Sequence, residues 1–175
     1  EMLRSLVGSE MCIRDSLIAW SMGVWAASMV LQDMDLPICE RVALNGTVTP
    51  VDDLKGIPQQ VFEGTLEGLN EGTLEKFIRR MCLKKENLET FLSKRPQRAV
   101  EELQEELRRI GEQVKSCAVP SFAWERAVIG KNDLIFTAVN QRNAWTGTEV
   151  AEYDIPHYSE AVSYTHLTLP TILLV

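Results

Sequence analysis

The sequence has no apolar run long enough to cross a lipid bilayer. Its longest nearly apolar stretch runs for 15 residues, from Leu17 to Leu31, and is interrupted by Ser21, Gly23 and Ser28. A membrane-spanning helix needs about 20 consecutive apolar residues. We therefore expect no membrane span.

Basic residues are in the minority. The chain carries 18 Lys and Arg residues against 25 Asp and Glu residues, which gives a formal net charge of -7. Proteins that bind nucleic acid broadly use a basic surface to displace counterions from the phosphate backbone. The charge balance therefore argues against a nucleic-acid partner.

Cysteine and histidine are scarce. The four cysteines form no C-x-x-C pair, and the chain has only two histidines. Because a zinc site or a disulfide framework shows closely spaced cysteines, we expect buried, reduced, structural thiols in a cytoplasmic protein, with no metal site. The cysteines are Cys12, Cys39, Cys82 and Cys117.

The remaining composition is that of one ordinary globular domain: 175 residues, of which 45% are apolar and 25% are charged.

The two ends of the chain differ from the rest of the sequence. Residues 1–16 (EMLRSLVGSEMCIRDS) and 163–175 (SYTHLTLPTILLV) resemble translated sequencing-adapter sequence, and such foreign segments are set aside before a fold is assigned. We therefore expect residues 17–162 to be the native part, an internal fragment of a longer protein. The alternative is that the ends are real terminal strands, since TILLV is a good β run.

Strand and helix patterns alternate in the first part of the chain. The apolar run 17–20 predicts a buried strand, residues 22–31 predict a helix, and residues 41–44 predict a second strand that ends in an Asn-Gly turn. A strand, a helix and a strand in this order predict a βαβ unit and a mostly parallel sheet with helices on both faces.

A helical insertion follows. From residue 59 to residue 116 the apolar period is helical, and we expect a helical cap there, with Thr73 as the N-cap of one helix. The strand pattern returns at 127–129 and, after a helix at 139–145, at 149–154. The sequence therefore predicts an α/β fold with a cap.

The first strand and helix meet at Ala19-Trp20-Ser21-Met22-Gly23. This is a close variant of the G-x-S-x-G nucleophile elbow, in which a serine occupies a strained turn between a strand and a helix. The pattern predicts Ser21 as a nucleophile, with small side chains two residues before and after it, and the Met22 N–H as an oxyanion donor. The alternative is that Ser21 simply caps the helix.

A serine nucleophile needs a base, and in this kind of site an acid and then a histidine follow the serine in the chain. Asp133 follows the strand at 127–129, and His157 follows the last strand. We expect both at the carboxyl edge of the sheet beside Ser21. His166, in the adapter-like tail, is the rival base, and the weaker acid candidates are Asp52, Asp53 and Asp154.

A longer set of ordered motifs resembles one family. The chain from Leu17 to Tyr158 is similar to the α/β-hydrolase carboxylesterases of the BioG type, which are pimeloyl-[acyl-carrier protein] methyl ester esterases of biotin synthesis. The matching motifs are AWSMGVWAA at 19–27, NGT at 45–47, DD at 52–53, GIP at 56–58, GTL at 64–66, LN at 69–70, RRMC at 79–82, KRP at 94–96, NQRNAW at 140–145 and PHY at 156–158.

The resemblance implies a partial α/β-hydrolase fold, a role for each of the three reactive residues, and a specific reaction. By it, Ser21 would attack the ester, His157 would act as general base and acid, and Asp133 would orient His157. The implied reaction is hydrolysis of the methyl ester of a pimeloyl chain on acyl-carrier protein, through an acyl-serine intermediate and without a metal or cofactor. Acyl-carrier protein is then the expected partner.

The chain departs from the family before the nucleophile. Such hydrolases begin with several strands and a glycine-aromatic loop that gives the second oxyanion N–H, and where this part is expected the chain has only the adapter-like residues 1–16. Loss of one oxyanion donor costs about 10²–10³-fold in rate. We therefore expect the parent protein to be an esterase and the polypeptide as written to be inactive or poorly folded.

The predicted cap carries a basic cluster in an otherwise acidic chain. Such a run is often only a solvated helix face, but it can also steer an acidic partner such as acyl-carrier protein to the site. The basic residues are Lys76, Arg79, Arg80, Lys84, Lys85, Lys94, Arg95 and Arg98, and only Glu86 and Glu89 oppose them in this stretch.

Two other functions stay open at this point. A thioesterase or another acyl hydrolase would use the same three residues, because the triad does not depend on the leaving group. A hydrolase-like binding or scaffold domain would keep the fold without a reactive serine.

Overall fold

The computed structural model describes residues 15–159, which form a four-stranded sheet and six helices. In chain order the elements are β1 (Asp15–Trp20), α1 (Gly23–Leu31), β2 (Ile38–Leu44), α2 (Gln59–Glu67), α3 (Glu71–Cys82), α4 (Lys85–Lys94), α5 (Val100–Ser116), β3 (Arg126–Gly130), α6 (Ala138–Ala144) and β4 (Glu149–Tyr153). Residues 1–14 of the expected adapter-like segment 1–16, the whole of the segment 163–175 and residues 160–162 of the predicted native range lie outside the described residues. The last two residues of the first segment, Asp15 and Ser16, begin β1.

The strands lie side by side in the order β1-β2-β3-β4, and every pairing between them is parallel. Ala19 of β1 lies opposite Ala43 of β2, and Val128 of β3 lies opposite Ala151 of β4. Parallel strands need crossover connections, which α1, the α2–α5 segment and α6 provide. The structure thus confirms the α/β fold class, and the carboxyl ends of all four described strands share one edge.

The sheet packs against a core of small and aromatic side chains. Alanines and an isoleucine from the strands contact Val24 of α1 and two tryptophans from the later part of the chain. Small strand residues let the helix and the indole rings approach the sheet closely. The buried members are Ala19, Val24, Ala43, Trp124, Ala127, Ile129 and Trp145.

The four helices α2–α5, which we call the cap, build a second core. Phe62, Ile78 and Met81 of the cap pack against Ile135 and Phe136, which follow β3. Trp20, Met22 and Tyr158 lie at the border of this core. The cap therefore covers the sheet at the edge where the strands end.

The division of the whole chain into native and foreign parts stays a prediction.

The start of α3 differs from the prediction. Asn70, and not Thr73, is the N-cap residue: its side chain accepts a hydrogen bond from the Thr73 backbone N–H at 3.1 Å. Thr73 instead accepts from the backbone N–H of Asn70 at 2.8 Å through its hydroxyl. This reciprocal pair is a capping box, which satisfies two backbone donors at once.

The expectation that the cysteines are buried is wrong for two of them. Cys82 is fully buried, but Cys39 near the start of β2 and Cys117 at the end of α5 are exposed. Both exposed thiols lie at element ends that extend past the packed cores. Burial raises the pKa of Cys82 to about 11. Cys12 lies outside the described residues.

No helix within residues 15–159 combines the length and the apolar character that a bilayer crossing requires.

Candidate active site

Each strand of the sheet is followed, at its carboxyl end, by a polar residue that enters the same site. Ser21 comes directly after β1 and Asn45 directly after β2, while Asp133 and His157 lie in the loops that follow β3 and β4. Because the strands are parallel, these four positions come together at one edge of the sheet.

Ser21 occupies a strained turn. Its φ of +58° lies in the left-handed region, which non-glycine residues adopt rarely. Its backbone N–H still pairs with the carbonyl of Leu44 at 2.9 Å, and its carbonyl accepts from Val24 N at 3.2 Å. The N-cap of α1 is Met22, with no side-chain cap. Ser21 is therefore not the cap of this helix, which removes the simpler interpretation.

The glycine that makes room for this turn is not the one expected. A Cβ added to Gly23 would meet no atom within 4 Å. A Cβ on Gly46 would lie 2.1 Å from the carbonyl oxygen of Ser21 and 2.9 Å from Cγ2 of Val24. The sequence prediction that Gly23 relieves the crowding is wrong, since the close neighbour of Ser21 comes from the loop after β2.

The three predicted reactive side chains form one chain of hydrogen bonds. His157 Nε2 lies 3.0 Å from the Ser21 hydroxyl, and His157 Nδ1 lies 2.8 Å from Oδ2 of Asp133. The side chains of His157 and Asp133 are 1% and 0% exposed. A carboxylate only accepts hydrogen bonds, so Nδ1 carries the proton and Nε2 is left to accept from the hydroxyl.

Backbone groups fix the Asp133 carboxylate. Oδ1 accepts from the N–H groups of Ile135 and Phe136 at 2.7 and 2.9 Å. Oδ2, which faces the imidazole, also lies 3.3 Å from Nε2 of the buried Gln141. The turn after Asp133 therefore holds the carboxylate in one orientation toward His157.

Two aromatic rings lie close to the imidazole of His157. The ring of Phe136 lies nearly parallel to it at a centroid distance of 6.0 Å, and the indole of Trp20 lies 4.9 Å away. The next residue, Tyr158, is tied to the cap, because its backbone N–H donates to Met81 at 3.0 Å. The cap and the base are thus connected through one residue.

The Met22 N–H is free for an oxyanion. Among the described residues it binds no acceptor, and it lies at the N-terminus of α1, where the helix dipole favours negative charge. This agrees with the position that an oxyanion donor needs directly after the nucleophile.

The weaker acid candidates have other partners. Asp52 accepts from the backbone N–H groups at 54 and 55, and Asp53 accepts from Gln59 N at 2.9 Å. Asp154 is exposed and pairs with Lys131 at 3.7 Å. His166 lies outside the described residues. Within residues 15–159, no three His, Cys, Asp or Glu side chains form a group that could hold a metal ion.

The predicted basic cluster is not one uniform surface. Arg98 pairs with Glu102 and Glu106, and Lys85 pairs with Glu89. Lys94 and Arg95 stand at the C-terminal end of α4.

Arg80 has a structural contact, because its guanidinium donates to the carbonyl of Leu134, next to Asp133, at 2.7 Å.

A shallow groove, which we call the basic groove, lies at the junction of α3 and α4. It is lined by Arg79, Leu83, Lys84, Lys85 and Leu88.

Sequence reasoning missed the residues that support the three reactive ones. Asn45 and Gln141 are both fully buried and both reach the site with an amide. Nothing in the local pattern separates a buried Asn from an exposed turn Asn. The available signals were the position of Asn45 directly after a predicted strand and the presence of the two residues in the family-like motifs NGT at 45–47 and NQRNAW at 140–145.

Comparisons with known proteins identify the family of the chain. The family model for pimeloyl-ACP methyl esterase BioG matches residues 10–169. A solved structure of BioG from Haemophilus influenzae is 36% identical, has a TM-score of 0.78, and covers 85% of this chain and 69% of its own.

Two curated proteins are also similar. One, from Bacteroides fragilis (strain 638R), is named malonyl-[acyl-carrier protein] O-methyltransferase and is 50% identical over 148 residues, which make up 83% of this chain and 30% of that protein. The other, an uncharacterized protein of Haemophilus influenzae, is 39% identical over 144 residues. The chain spans less than a third of the first and 66% of the second.

Proposed function

The chain belongs to the pimeloyl-ACP methyl esterase BioG family, and we propose that it carries the active site of a serine carboxylesterase that hydrolyses the methyl ester of pimeloyl-[acyl-carrier protein] in biotin synthesis. The observation that carries this proposal is the hydrogen-bonded chain from Ser21 through His157 to Asp133 at the carboxyl edge of a parallel sheet.

In the first half of the proposed reaction, His157 Nε2 takes the proton from the Ser21 hydroxyl as the oxygen attacks the ester carbonyl carbon. Asp133 stabilises the imidazolium that forms, and the Met22 N–H donates to the oxyanion of the tetrahedral intermediate. The intermediate expels methoxide, which takes the proton from His157 and leaves as methanol. The pimeloyl chain is then an ester of Ser21.

In the second half, a water molecule attacks the acyl-serine while His157 removes its proton. The intermediate collapses, the Ser21 oxygen recovers a proton from His157, and a carboxylic acid is released at the end of the pimeloyl chain, where it loses its proton to water and becomes a carboxylate. We assign no metal or cofactor to either half, since His157 accounts for the proton transfers to and from Ser21, the leaving group and the attacking water.

The partner in this proposal is acyl-carrier protein. Arg79, Lys84 and Lys85 border the basic groove on the cap, which also covers the site edge. An acidic carrier would be attracted to these cations, and such attraction raises the rate of association. We propose the basic groove as the docking surface and the cytoplasm as the location.

The methyltransferase activity in the name of the Bacteroides relative is not part of this proposal. The chain spans only 30% of that protein, and the hydrogen-bonded chain from Ser21 through His157 to Asp133 favours a hydrolase.

The substrate is tested with three compounds: methyl pimeloyl-acyl-carrier protein, the same chain without the methyl group, and a small soluble methyl ester. On the expectation that residues 17–162 belong to a longer natural protein, the assay uses that protein, hereafter the full protein. We expect methanol and an intact carrier thioester from the first compound and no change in the second. Release of the acyl chain from the carrier would identify a thioesterase instead, and absence of turnover would favour a binding domain.

The 175-residue chain is assayed beside the full protein. The expectation that it is inactive or poorly folded as written is a separate prediction. Ester turnover by this chain that Ser21→Ala abolishes would contradict that expectation and leave the proposed function intact.

A further inference from the structure

Asn45 is fully buried at the point where β2 ends. Its φ of +45° lies in the left-handed region, which Asn adopts more readily than most residues. Its backbone N–H donates to the carbonyl of Val128 at 2.9 Å, which continues the pairing of β2 with β3 by one residue. The side-chain amide is therefore anchored in the middle of the sheet's carboxyl edge.

This amide joins the loops that carry the acid and the base. Its Nδ2 donates to the carbonyls of Pro156 and His157 at 3.0 and 2.9 Å, and its Oδ1 accepts from the N–H of Gly130 at 2.7 Å. Gly130 begins the turn that leads to Asp133. The amide thus links the backbone of His157 to the start of the Asp133 turn.

The two loops are in close contact around this amide. A Cβ on Gly130 would lie 2.6 Å from the carbonyl oxygen of Ile155 and 3.1 Å from Oδ1 of Asn45. The side-chain amide of Asn has an NH₂ group with two N–H donors and an oxygen that accepts. Here the NH₂ group donates to two carbonyls and the oxygen accepts from one N–H. An aspartate in its place would donate nothing and would set a negative oxygen against two carbonyls.

The nucleophile strand reaches the same point. The indole Nε1 of Trp20, the residue before Ser21, donates to the carbonyl of His157 at 2.9 Å. Leu44, the residue before Asn45, accepts from the backbone N–H of Ser21 at 2.9 Å. The carbonyl of His157 therefore receives two N–H groups, one from the nucleophile strand and one from Asn45.

We propose that Asn45 is a positioning residue: its amide sets the separation of the Asp133 and His157 loops, and through it the position of the imidazole relative to the Ser21 hydroxyl. Asn45 acts through the backbone of these loops and takes no part in the bond changes. The inference rests on the proposed esterase function and adds a fourth residue to its site.

The test compares the same substitution at two buried asparagines. In Asn140, Nδ2 also donates to two backbone carbonyls, those of Asp53 and Gly56 at 3.1 and 2.8 Å, but neither belongs to a reactive loop. We expect Asn45→Asp and Asn140→Asp to lower the unfolding temperature of the full protein alike. Only Asn45→Asp should lower kcat, by about 10²-fold with KM little changed, because a displacement of about 1 Å costs that much.

A proton NMR signal gives a readout that does not depend on turnover. The Nδ1–H of a histidine bonded to a buried carboxylate resonates far downfield, and His157→Gln identifies this signal by removing it. We expect the signal to be present in the unaltered protein and in Asn140→Asp and to be lost or shifted in Asn45→Asp. An unchanged signal and kcat in folded Asn45→Asp would overturn the proposal.

Trp20→Phe provides the variant that keeps the fold if Asn45→Asp does not. It preserves the aromatic packing and removes one hydrogen bond to the His157 carbonyl, so kcat should fall about fivefold and the NMR signal should shift. No change in either would overturn the proposal. If the unaltered protein shows the signal but cleaves no ester, the proposed function fails while the positioning role is still decided by NMR.

Discussion

Gly46 lies directly against the backbone of Ser21: a Cβ at position 46 would fall 2.1 Å from the Ser21 carbonyl oxygen. Two residues that follow different strands and lie 25 positions apart in the chain are thus in direct backbone contact. The left-handed Ser21 can occupy its position only because nothing projects from the neighbouring loop.

Gly46→Ala should displace Ser21 and reduce both stability and activity. Overpacking of this kind costs about 1–3 kcal/mol of unfolding free energy, and we expect kcat to fall by about 10²-fold. Gly64→Ala is the control, since a Cβ there would meet no atom within 4 Å. Denaturant unfolding and ester kinetics are measured on both variants. Equal stability and equal kcat in the two variants would contradict the close packing of Gly46 against Ser21.

Gly23→Ala separates the two explanations of the elbow. Because a Cβ at position 23 would meet open space at the first residue of α1, we expect unfolding stability to stay the same or to rise, as alanine favours helices over glycine by about 1 kcal/mol. A loss of stability as large as that of Gly46→Ala would restore the original expectation that Gly23 relieves the strain.

Asp133→Asn should nearly abolish activity without unfolding the protein. Oδ1 of Asp133 accepts from the backbone groups of Ile135 and Phe136, and an amide oxygen can do the same. The amide nitrogen would then face His157 and favour the wrong tautomer, a change that costs about 10⁴-fold in serine-protease triads. Asp154→Asn is the matched control, because that exposed carboxylate pairs only with Lys131 among the described residues. Comparable kcat in the two variants would remove Asp133 from the site.

Charge reversal at the basic groove should affect only the carrier-bound substrate. We expect Arg79→Glu with Lys84→Glu to lower kcat/KM for methyl pimeloyl-acyl-carrier protein roughly tenfold at low salt and to spare a small methyl ester. Arg80 is left unchanged, since its contact with Leu134 would disturb the Asp133 turn.

Lys55→Glu, a single charge reversal outside the cap, is the control, and it is compared with Arg79→Glu and Lys84→Glu made singly, so that each variant changes the net charge by the same amount. Added salt should bring the carrier-bound rate of the unaltered protein toward that of the double variant. Equal losses on both substrates, or an equal effect of Lys55→Glu, would contradict a docking role for the groove.

The cysteines should differ sharply in reactivity. With a pKa of about 11, the Cys82 thiol is only about one part in a thousand thiolate at pH 8, and the thiolate is the reactive form. We expect iodoacetamide to modify exposed Cys39 and Cys117 in the native protein and Cys82 only after unfolding. Mass spectrometry of the digested protein measures each site, and modification of Cys82 as fast as Cys39 would show that it is not buried.

Much of the fold could be predicted because its signals are local. The apolar run before Ser21 predicted β1, the helical period predicted α5, and the order of strands and helices predicted the parallel sheet that the structure confirms. The order of serine, aspartate and histidine after successive strands also predicted which side chains would meet, and the structure brings Ser21, Asp133 and His157 together.

The rest depends on contacts between distant segments. Gly46 looked like part of an ordinary turn, and only the packing of two loops shows that it must have no side chain. Asn45 also looked like a turn residue, although its amide is buried between two other loops. The sequence predicted Thr73 as the cap of α3, but the structure has Asn70 in that position, with Thr73 as its partner in a reciprocal pair of hydrogen bonds.

The central claim is that the Ser21 hydroxyl is activated by His157. It is tested most directly by treating the folded full protein with a fluorophosphonate and mapping the modified residue by mass spectrometry. We predict one rapid modification, at Ser21, that is lost in His157→Gln. A folded protein that remains unmodified, or that is modified at another serine, would contradict the claim.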